Sequence, residues 1–550
     1  MTDDEMWSLG DLIEGVEAVL PPDAPALVHD DEVVSWSALA RASRSLAAAF
    51  AARGAKPGDK VAFYMRNQPA YMLTLAACFK GAYVHVNVNY RYLDDELLYI
   101  LDDSDAAVVV YAAEFDERIA RVRERAGKVR AWVRVGPGEP PAFAESFAAL
   151  AGERPDAALD VARSADDLLF IYTGGTTGMP KGVMWRHGDL WGALGYGANA
   201  RANRGARPAT PAEHVANVKA HGVGPRQYTA CPLMHGTGLL TAIGNFVGGG
   251  VTLTTGGERF EAEAALDFVD RARAESMVIV GDAFARPIVD ALDAHPGRWS
   301  LASLKVVMSS GVMWSRETKD ALLAHQPNLT LADLFGSSEA VGFGSSVTSR
   351  KAGKGRTAKF RIGDDCRVFT EDLREVAPGS GERGFIARRG PIPLGYYKDP
   401  EKSAKTFPTI GGVRYSIPGD WCTVEADGTL TLLGRGSACI NTAGEKVYPE
   451  EVEEVLKQHP DVADALVVGL PDPKWGQAVT AVVAARRGRA IDDAALRAHV
   501  RDRLAGYKTP KRVVAAEAAL LRAPNGKPDY KAARALAERA AADGGAADGA

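Results

Sequence analysis

Between Lys60 and Tyr111 the chain alternates short apolar runs with helix-spaced segments, and this alternation constrains the fold more than any other feature. Lys60–Met65 (KVAFYM) reads as a strand, Pro69–Lys80 as a helix and Ala82–Val88 as a strand. Asp94–Asp102 then reads as a helix and Ala106–Tyr111 as a strand. Strands separated by helices demand crossover connections, so the expected fold class is α/β, with parallel sheets flanked by helices. Comparable units recur at Met277–Val280, before a helix over Asp282–Ala294, and at Leu304–Met308.

The signal changes after residue 380. Short strands and turns (GERGFIARRG, then DGTLTLLGRG) predict a small β-barrel-like subdomain. A compact α/β unit begins near Ala438, with a helix over Pro449–His459, strands over Ala465–Gly469 and Ala478–Ala485, and a helix over Ile491–Leu504. The expected organisation is a large N-terminal domain over 1–435, a hinge at 436–437, a mobile C-terminal lid domain over 438–535 and a disordered tail over 536–550. The stretch Asn199–Gly224 lacks a clear period and reads as a solvated surface insertion.

Composition narrows the class of activity. A net charge of −5 with both signs mixed along the chain gives no basis for nucleic-acid binding. The five cysteines are scattered, without a CxxC pair, so neither a disulfide framework nor a zinc site is expected. The acidic N-terminus (MTDDEMWSLGDL) is unlike a signal peptide, and no window approaches the ~18 apolar residues of a spanning helix. A reducing, cytoplasmic setting is expected. Peripheral membrane contact stays open, and a homodimer is the default assembly.

The chemistry begins at Tyr172–Gly182 (YTGGTTGMPKG), directly after the apolar run Leu168–Ile171. Glycines let backbone N–H groups approach an anion, and threonines and a lysine add donors and charge, which suits a polyphosphate. Met179 and Pro180 separate Gly178 from Lys181, so this is not a Walker A loop.

This loop resembles the phosphate-binding signature of the adenylate-forming superfamily, which includes acyl-CoA synthetases, peptide-synthetase adenylation domains and luciferases. One position departs, since Gly174 stands where serine is usual. Other motifs follow in order: SSGVM (Ser309–Met313), LFGSSEA (Leu334–Ala340), the pairs Gly419-Asp420 and Gly434-Arg435, INTAGEKVYPEEVEE (Ile440–Glu454) and PNGKPDYK (Pro524–Lys531). The likeness covers nearly the whole chain. Within the superfamily, RGSACINTAGEKVYPEEVEEVLKQHP is similar to actinobacterial ligases of fatty acids or sterol side-chain carboxylates.

The resemblance implies ATP, Mg2+ and coenzyme A as cofactors and a small carboxylic acid as substrate. Thr173, Gly174, Gly175, Thr176, Thr177, Gly178 and Lys181 would hold the phosphates. Glu339 and Thr176 would bind the metal. Gly311, Phe335, Gly336, Ser337 and Ser338 would surround adenine and phosphate, and Asp420 and Arg435 the ribose. Lys527 would bridge the acid and the α-phosphate, and Gly444 would line the pantetheine path. Ser437 would act as the hinge, while Asn441 stands where lysine is frequent. The catalytic group would be Lys527, Glu339, Lys181 and His235, with His235 (in CPLMHGTG) gating the carboxylate rather than acting as a base.

Small residues at Gly236, Thr237, Gly238, Gly281, Ala283, Val312, Gly342 and Gly344 would leave volume for a long or bulky apolar acid. Three other readings stay open here: loading of an acyl carrier protein, a luciferase-like oxygenase, and a catalytically silent acyl-binding protein.

Overall fold

The computed structural model describes residues 8–173, 179–194, 208–312, 314–350, 359–435, 440–442, 445–472, 476–504, 506–523 and 527–545. Two large sheets form the N-terminal part. One has eight strands, and six of them run parallel in the order Leu168–Thr173, Val84–Asn87, Lys60–Tyr64, Ala106–Ala112, Ala131–Val135 and Glu145–Ser146. Val84–Asn87 and Ala106–Ala112 are buried at every position. Parallel strands covered on both faces read as unbroken apolar runs for this reason.

The second sheet has thirteen strands. Its parallel part orders Thr330–Ser337, Val306–Ser310, Ser276–Ile279, Arg226–Thr229, Val251–Thr254 and Pro25–His29. Antiparallel Ala340–Thr348 then joins this part to Lys359–Ile362, Thr429–Arg435, Asp420–Val424, Arg383–Arg388 and Cys366–Phe369. The strands expected as a barrel-like subdomain are thus hydrogen-bonded onto the end of the large sheet. They keep a core of their own around Phe343, Ile386, Cys422 and Leu430. After residue 440 a separate five-stranded sheet carries its own helices and core.

Two expectations change. Within 199–224, Pro211–His221 is a helix, capped by the Thr210 hydroxyl and packed on Leu9–Val19, with His214 and Val218 buried. Its buried stripe is narrow, and a polar remainder hid the helical period. Residues 199–207 of that stretch lie outside the described residues. The Ala-rich helix runs over Tyr530–Gly545, past the point at which disorder was expected. Ala533 and Ala537 bury their methyl face against the strand Val462–Asp472, and this tertiary packing orders the segment.

Charge is buried in the N-terminal core. Lys80 is fully buried and its Nζ donates to Glu17 Oε2 (2.8 Å) and to Ser43 Oγ (2.8 Å). Burial lowers the Lys80 pKa and raises that of Glu17, so the pair survives through its hydrogen bonds. His187 is fully buried against the edge of Phe79, and neither ring nitrogen has a partner among the described residues. Desolvation pushes its pKa down to about 3, and that of buried His85 likewise.

A folded pKa below the unfolded value near 6.5 means that the unfolded chain takes up protons first as pH falls. Stability contributed by neutral His187 is therefore present above about pH 6.5 and is lost progressively toward pH 3. Between pH 7 and 5, still above most carboxylate titration, one such histidine costs roughly 2 kcal/mol. Replacing His187 with Leu is expected to flatten the fall in denaturation midpoint over that interval. An unchanged slope would show that His187 is not desolvated in the folded chain.

Candidate active site

A cleft of ≈ 1780 Å³ opens at the C-terminal ends of the parallel strands in the thirteen-stranded sheet. Crevices beyond the carboxyl ends of such strands are where α/β folds bind ligands. Val306–Ser310 delivers Gly311 there with φ +90°, a conformation open to glycine at little cost. A side chain at that point would also press on Thr237 Oγ1, 3.3 Å from an added Cβ. The Gly311 backbone is therefore free to face the cleft.

Opposite it, Cys231–His235 leads into the helix Gly236–Val247. Two asparagines hold this approach. Asn67 Nδ2 donates to the Cys231 carbonyl (3.0 Å) while its Oδ1 accepts from Leu233 N–H (2.7 Å). Asn87 Nδ2 donates to Met234 O (2.7 Å) and Tyr172 O (3.0 Å), and its Oδ1 accepts from Tyr172 N–H (2.6 Å). His235 thus sits beside the strand that leads into the glycine-rich loop. Desolvation, with the charges of Lys527 and Arg91, drives its pKa to about 3, so the ring is neutral at ordinary pH.

The segment Leu334–Ala340 supplies the acidic group. Phe335 is buried between Phe343 and Phe360, with ring centroids 5.2 Å apart in both cases. Trp185 Nε1 donates to Ser338 O (2.8 Å), and Ser416 Oγ donates to Glu339 O (2.6 Å). Glu339 Oε1 accepts from the Tyr396 hydroxyl (2.9 Å), which fixes the carboxylate. Glu339, Ser338, Ser337, Gly336 and Phe335 all line the cleft.

Among the described residues no three His, Cys, Asp or Glu side chains converge on a metal position. A divalent ion here would take Glu339 and complete its shell with phosphate oxygens and water, which is how Mg2+ is usually held. The site fits that ion.

Asp420 begins the strand Asp420–Val424, is buried, and lies in register with Arg435. Both Asp420 and Lys527 line the cleft, so residues of the thirteen-stranded sheet and of the C-terminal part meet there. Lys527 is exposed at the mouth and close enough to His235 to lower its pKa. Glu450 packs its carboxylate on Gly434, where an added Cβ would lie 2.1 Å from Oε2. Glu453 is buried, accepting from Val467 N–H (2.9 Å) and the Tyr530 hydroxyl (3.2 Å), whereas Glu451 pairs with Lys508. Arg486 forms an ion pair with Glu317 of the N-terminal part, and Arg286 approaches the other oxygen (3.6 Å).

Not every expected residue is at the cleft wall. Lys181 stands apart from the lining and pairs with Asp399 (3.4 Å), beside Tyr99. Thr173 lines the cleft, but Gly174, Gly175, Thr176, Thr177 and Gly178 lie outside the described residues, as do Gly444, Ser437 and the side chains of Arg435 and Asn441.

Gly236, Thr237, Val312, Gly342 and Gly344 line the cleft, whereas Gly238, Gly281 and Ala283 do not. Gly238 is small because a Cβ would come within 2.4 Å of Pro232 O, and Gly281 because its φ is +53°. Those two positions answer backbone demands, not ligand volume. Sequence reasoning passed over Asn67, Asn87, Tyr396 and Ser416. Each acts through a partner distant in the chain, which local spacing cannot reveal.

Comparison with known proteins agrees with this geometry. The family model described as AMP-binding enzyme matches residues 16–397, and its companion, AMP-binding enzyme C-terminal domain, matches 451–527. A Mycobacterium marinum protein named medium/long-chain-fatty-acid–CoA/3-oxocholest-4-en-26-oate–CoA ligase is 40% identical, covering 98% of this chain and 98% of its own. A Rhodococcus rhodochrous 3-oxocholest-4-en-26-oate–CoA ligase is 39% identical, over 96% and 95% respectively. The crystal structure of the anthranilate CoA ligase AuaEII with anthranoyl-AMP shares the fold, with a TM-score of 0.82, 22% identity and 98% of each chain covered. No helix among the described residues is long and apolar enough to cross a membrane. Fold, motif order and full-length similarity together place this chain in the AMP-binding, adenylate-forming enzyme family.

Proposed function

We propose that the protein is an AMP-forming acyl-CoA ligase acting on medium- to long-chain or sterol side-chain carboxylic acids. In the first half-reaction an acid carboxylate oxygen attacks the α-phosphorus of ATP, the bond to the β-phosphate oxygen breaks, and pyrophosphate leaves. In the second, the CoA sulfur attacks the acyl carbonyl, the thiol proton passes to solvent, and AMP departs. The observation that carries this reading is the convergence of Lys527, Glu339 and Asp420 on one cleft whose middle is walled by the apolar side chains of Leu240 and Met308.

The first step joins two anions, so the site must neutralise charge where it develops. Lys527 stands ready to do so at the acid and the α-phosphate, and Asp420 accepts the ribose hydroxyls. Bound Mg2+ supplies charge neutralisation of the phosphate oxygens. Glu339, braced by Tyr396, orients its site. A neutral His235 serves as a shaped wall near the acyl carbonyl, not as a proton carrier. The C-terminal domain swings about residues near 436–437 between the two half-reactions, and the Arg486–Glu317 pair belongs to the pose that presents Lys527. The enzyme works in the cytoplasm, with a homodimer as its default assembly.

Pyrophosphate exchange into ATP with a panel of acids, with and without CoA, tests the reading. Exchange with long or polycyclic acids and CoA-dependent release of acyl-CoA is the expected result. Absence of exchange with every acid refutes it, and exchange without thioester formation points to a carrier-protein acceptor. Lys527→Ala is expected to lower adenylation roughly 10²–10³-fold, as loss of one transition-state donor does, and to spare thioester formation from supplied acyl-adenylate. Tyr396→Phe is expected to raise the half-saturating Mg2+ concentration for exchange roughly tenfold, the effect of losing an outer-shell partner. Arg486→Ala is expected to slow adenylation a few-fold while the thioester step holds or quickens. Equal slowing of both steps would remove the latch role from that ion pair.

A further inference from the structure

The cleft continues away from Lys527 between the helix Gly236–Val247 and the strands Arg226–Thr229, Ser276–Ile279 and Val306–Ser310. Gln227, Ser276 and Val306 stand level across these three strands and share one face. All three line the cavity. Four residues further along their strands, Val280 and Ser310 line it at the reacting end. At the rise of an extended strand, the chamber runs ~13 Å between these two levels.

The helix offers Thr237, Thr241 and Gly244 to this space, at the spacing of one helical face. These residues are small, so the chamber is wide as well as long. Leu240 and Met308 make its middle apolar.

The far end is not apolar. Gln227 is 4% exposed, and its Nε2 has no hydrogen-bond partner among the described residues. Buried amide donors without acceptors are rare in folded proteins. The terminal torsion of glutamine is broad, so a half-turn of the amide presents either of its ends to the lumen. The neighbouring Ser276 adds a hydroxyl, and Asn245 is already engaged, donating to Val251 O (3.1 Å). An alkyl terminus would leave the Gln227 amide dry, whereas a carbonyl or hydroxyl oxygen at the same depth would satisfy it.

We propose that Gln227 is a specificity-determining residue. It hydrogen-bonds an oxygen carried at the end of the acid opposite the carboxylate, and so selects elongated, distally oxygenated acids over plain alkanoic ones. The inference rests on the acyl-CoA ligase reading.

The test compares kcat/KM in pyrophosphate exchange for a polycyclic acid bearing a distal keto group and for the same acid without it. The intact enzyme is expected to favour the keto acid at least about tenfold, the worth of one net hydrogen bond or more. Gln227→Leu and Gln227→Met are each expected to bring that ratio close to one. Equal kcat/KM for the two acids in the intact enzyme overturns the proposal without need of any variant. A ratio that survives both substitutions overturns it as well. No exchange with either acid, nor with fatty acids, is a different outcome: it refutes the ligase reading on which the proposal stands.

Discussion

The Asn87 side chain is the interaction on which the cleft depends. Its amide joins the end of Val84–Asn87, the end of Leu168–Thr173 and the turn before His235 through three hydrogen bonds, all of them buried. Removing it would strand two carbonyls and one N–H away from water, each at a cost of about 1–3 kcal/mol. The strain would fall where the glycine-rich loop leaves its strand and where the helix Gly236–Val247 begins. Asn67 does similar work one turn earlier, at Cys231 and Leu233. These two amides fix the end of Leu168–Thr173 and the turn before His235, both beside the cleft.

The two parts of the chain meet under a different rule. In the proposed two-step reaction their contacts have to hold one pose and yet release it. Glu317 and Arg486 are each about one-third exposed (39% and 33%), and a pair so placed contributes little, roughly 0–1 kcal/mol. That is enough to bias a poise and too little to lock it. Glu450 against Gly434 adds close packing between the two parts, at a position where any side chain would collide with the carboxylate. The buried Lys80–Glu17 pair, by contrast, lies inside one body and is never asked to separate.

Much of this was legible in the sequence. The helices Pro69–Lys80 and Asp282–Ala294 have the predicted bounds, because proline at a helix start and glycine near its borders mark ends locally. Glu339, Asp420, Gly311 and Lys527 were named from motif order, and the folded chain gathers them at one cleft. What escaped was non-local. Pro211–His221 was missed because only His214 and Val218 are buried, too few to impose a period. Gly238 and Gly281 looked like pocket lining because sequence cannot tell a small residue that makes room for ligand from one that makes room for backbone. Asn87 and Tyr396 were invisible because their partners lie 85 or 147 and 57 residues away, respectively.

The same sheet serves both ends of the substrate, and this links chemistry to selectivity. The reacting end lies where the strands finish, because carbonyl-directed chain ends and tight glycine turns leave backbone available for charged ligands. The far end lies level with the strand starts, where Gln227, Ser276 and Val306 fall into one row by register alone. Depth is therefore counted in strand residues. Shifting a polar residue by two positions along a strand would move it ~7 Å while keeping it on the same face. A shift of one would turn it out of the chamber altogether. Register thus acts as a ruler: it sets the distance between the activated carboxylate and any recognised group, independently of the phosphate-binding machinery. The two ends are joined by the stiff strands and by the helix Gly236–Val247 that runs along the chamber between them.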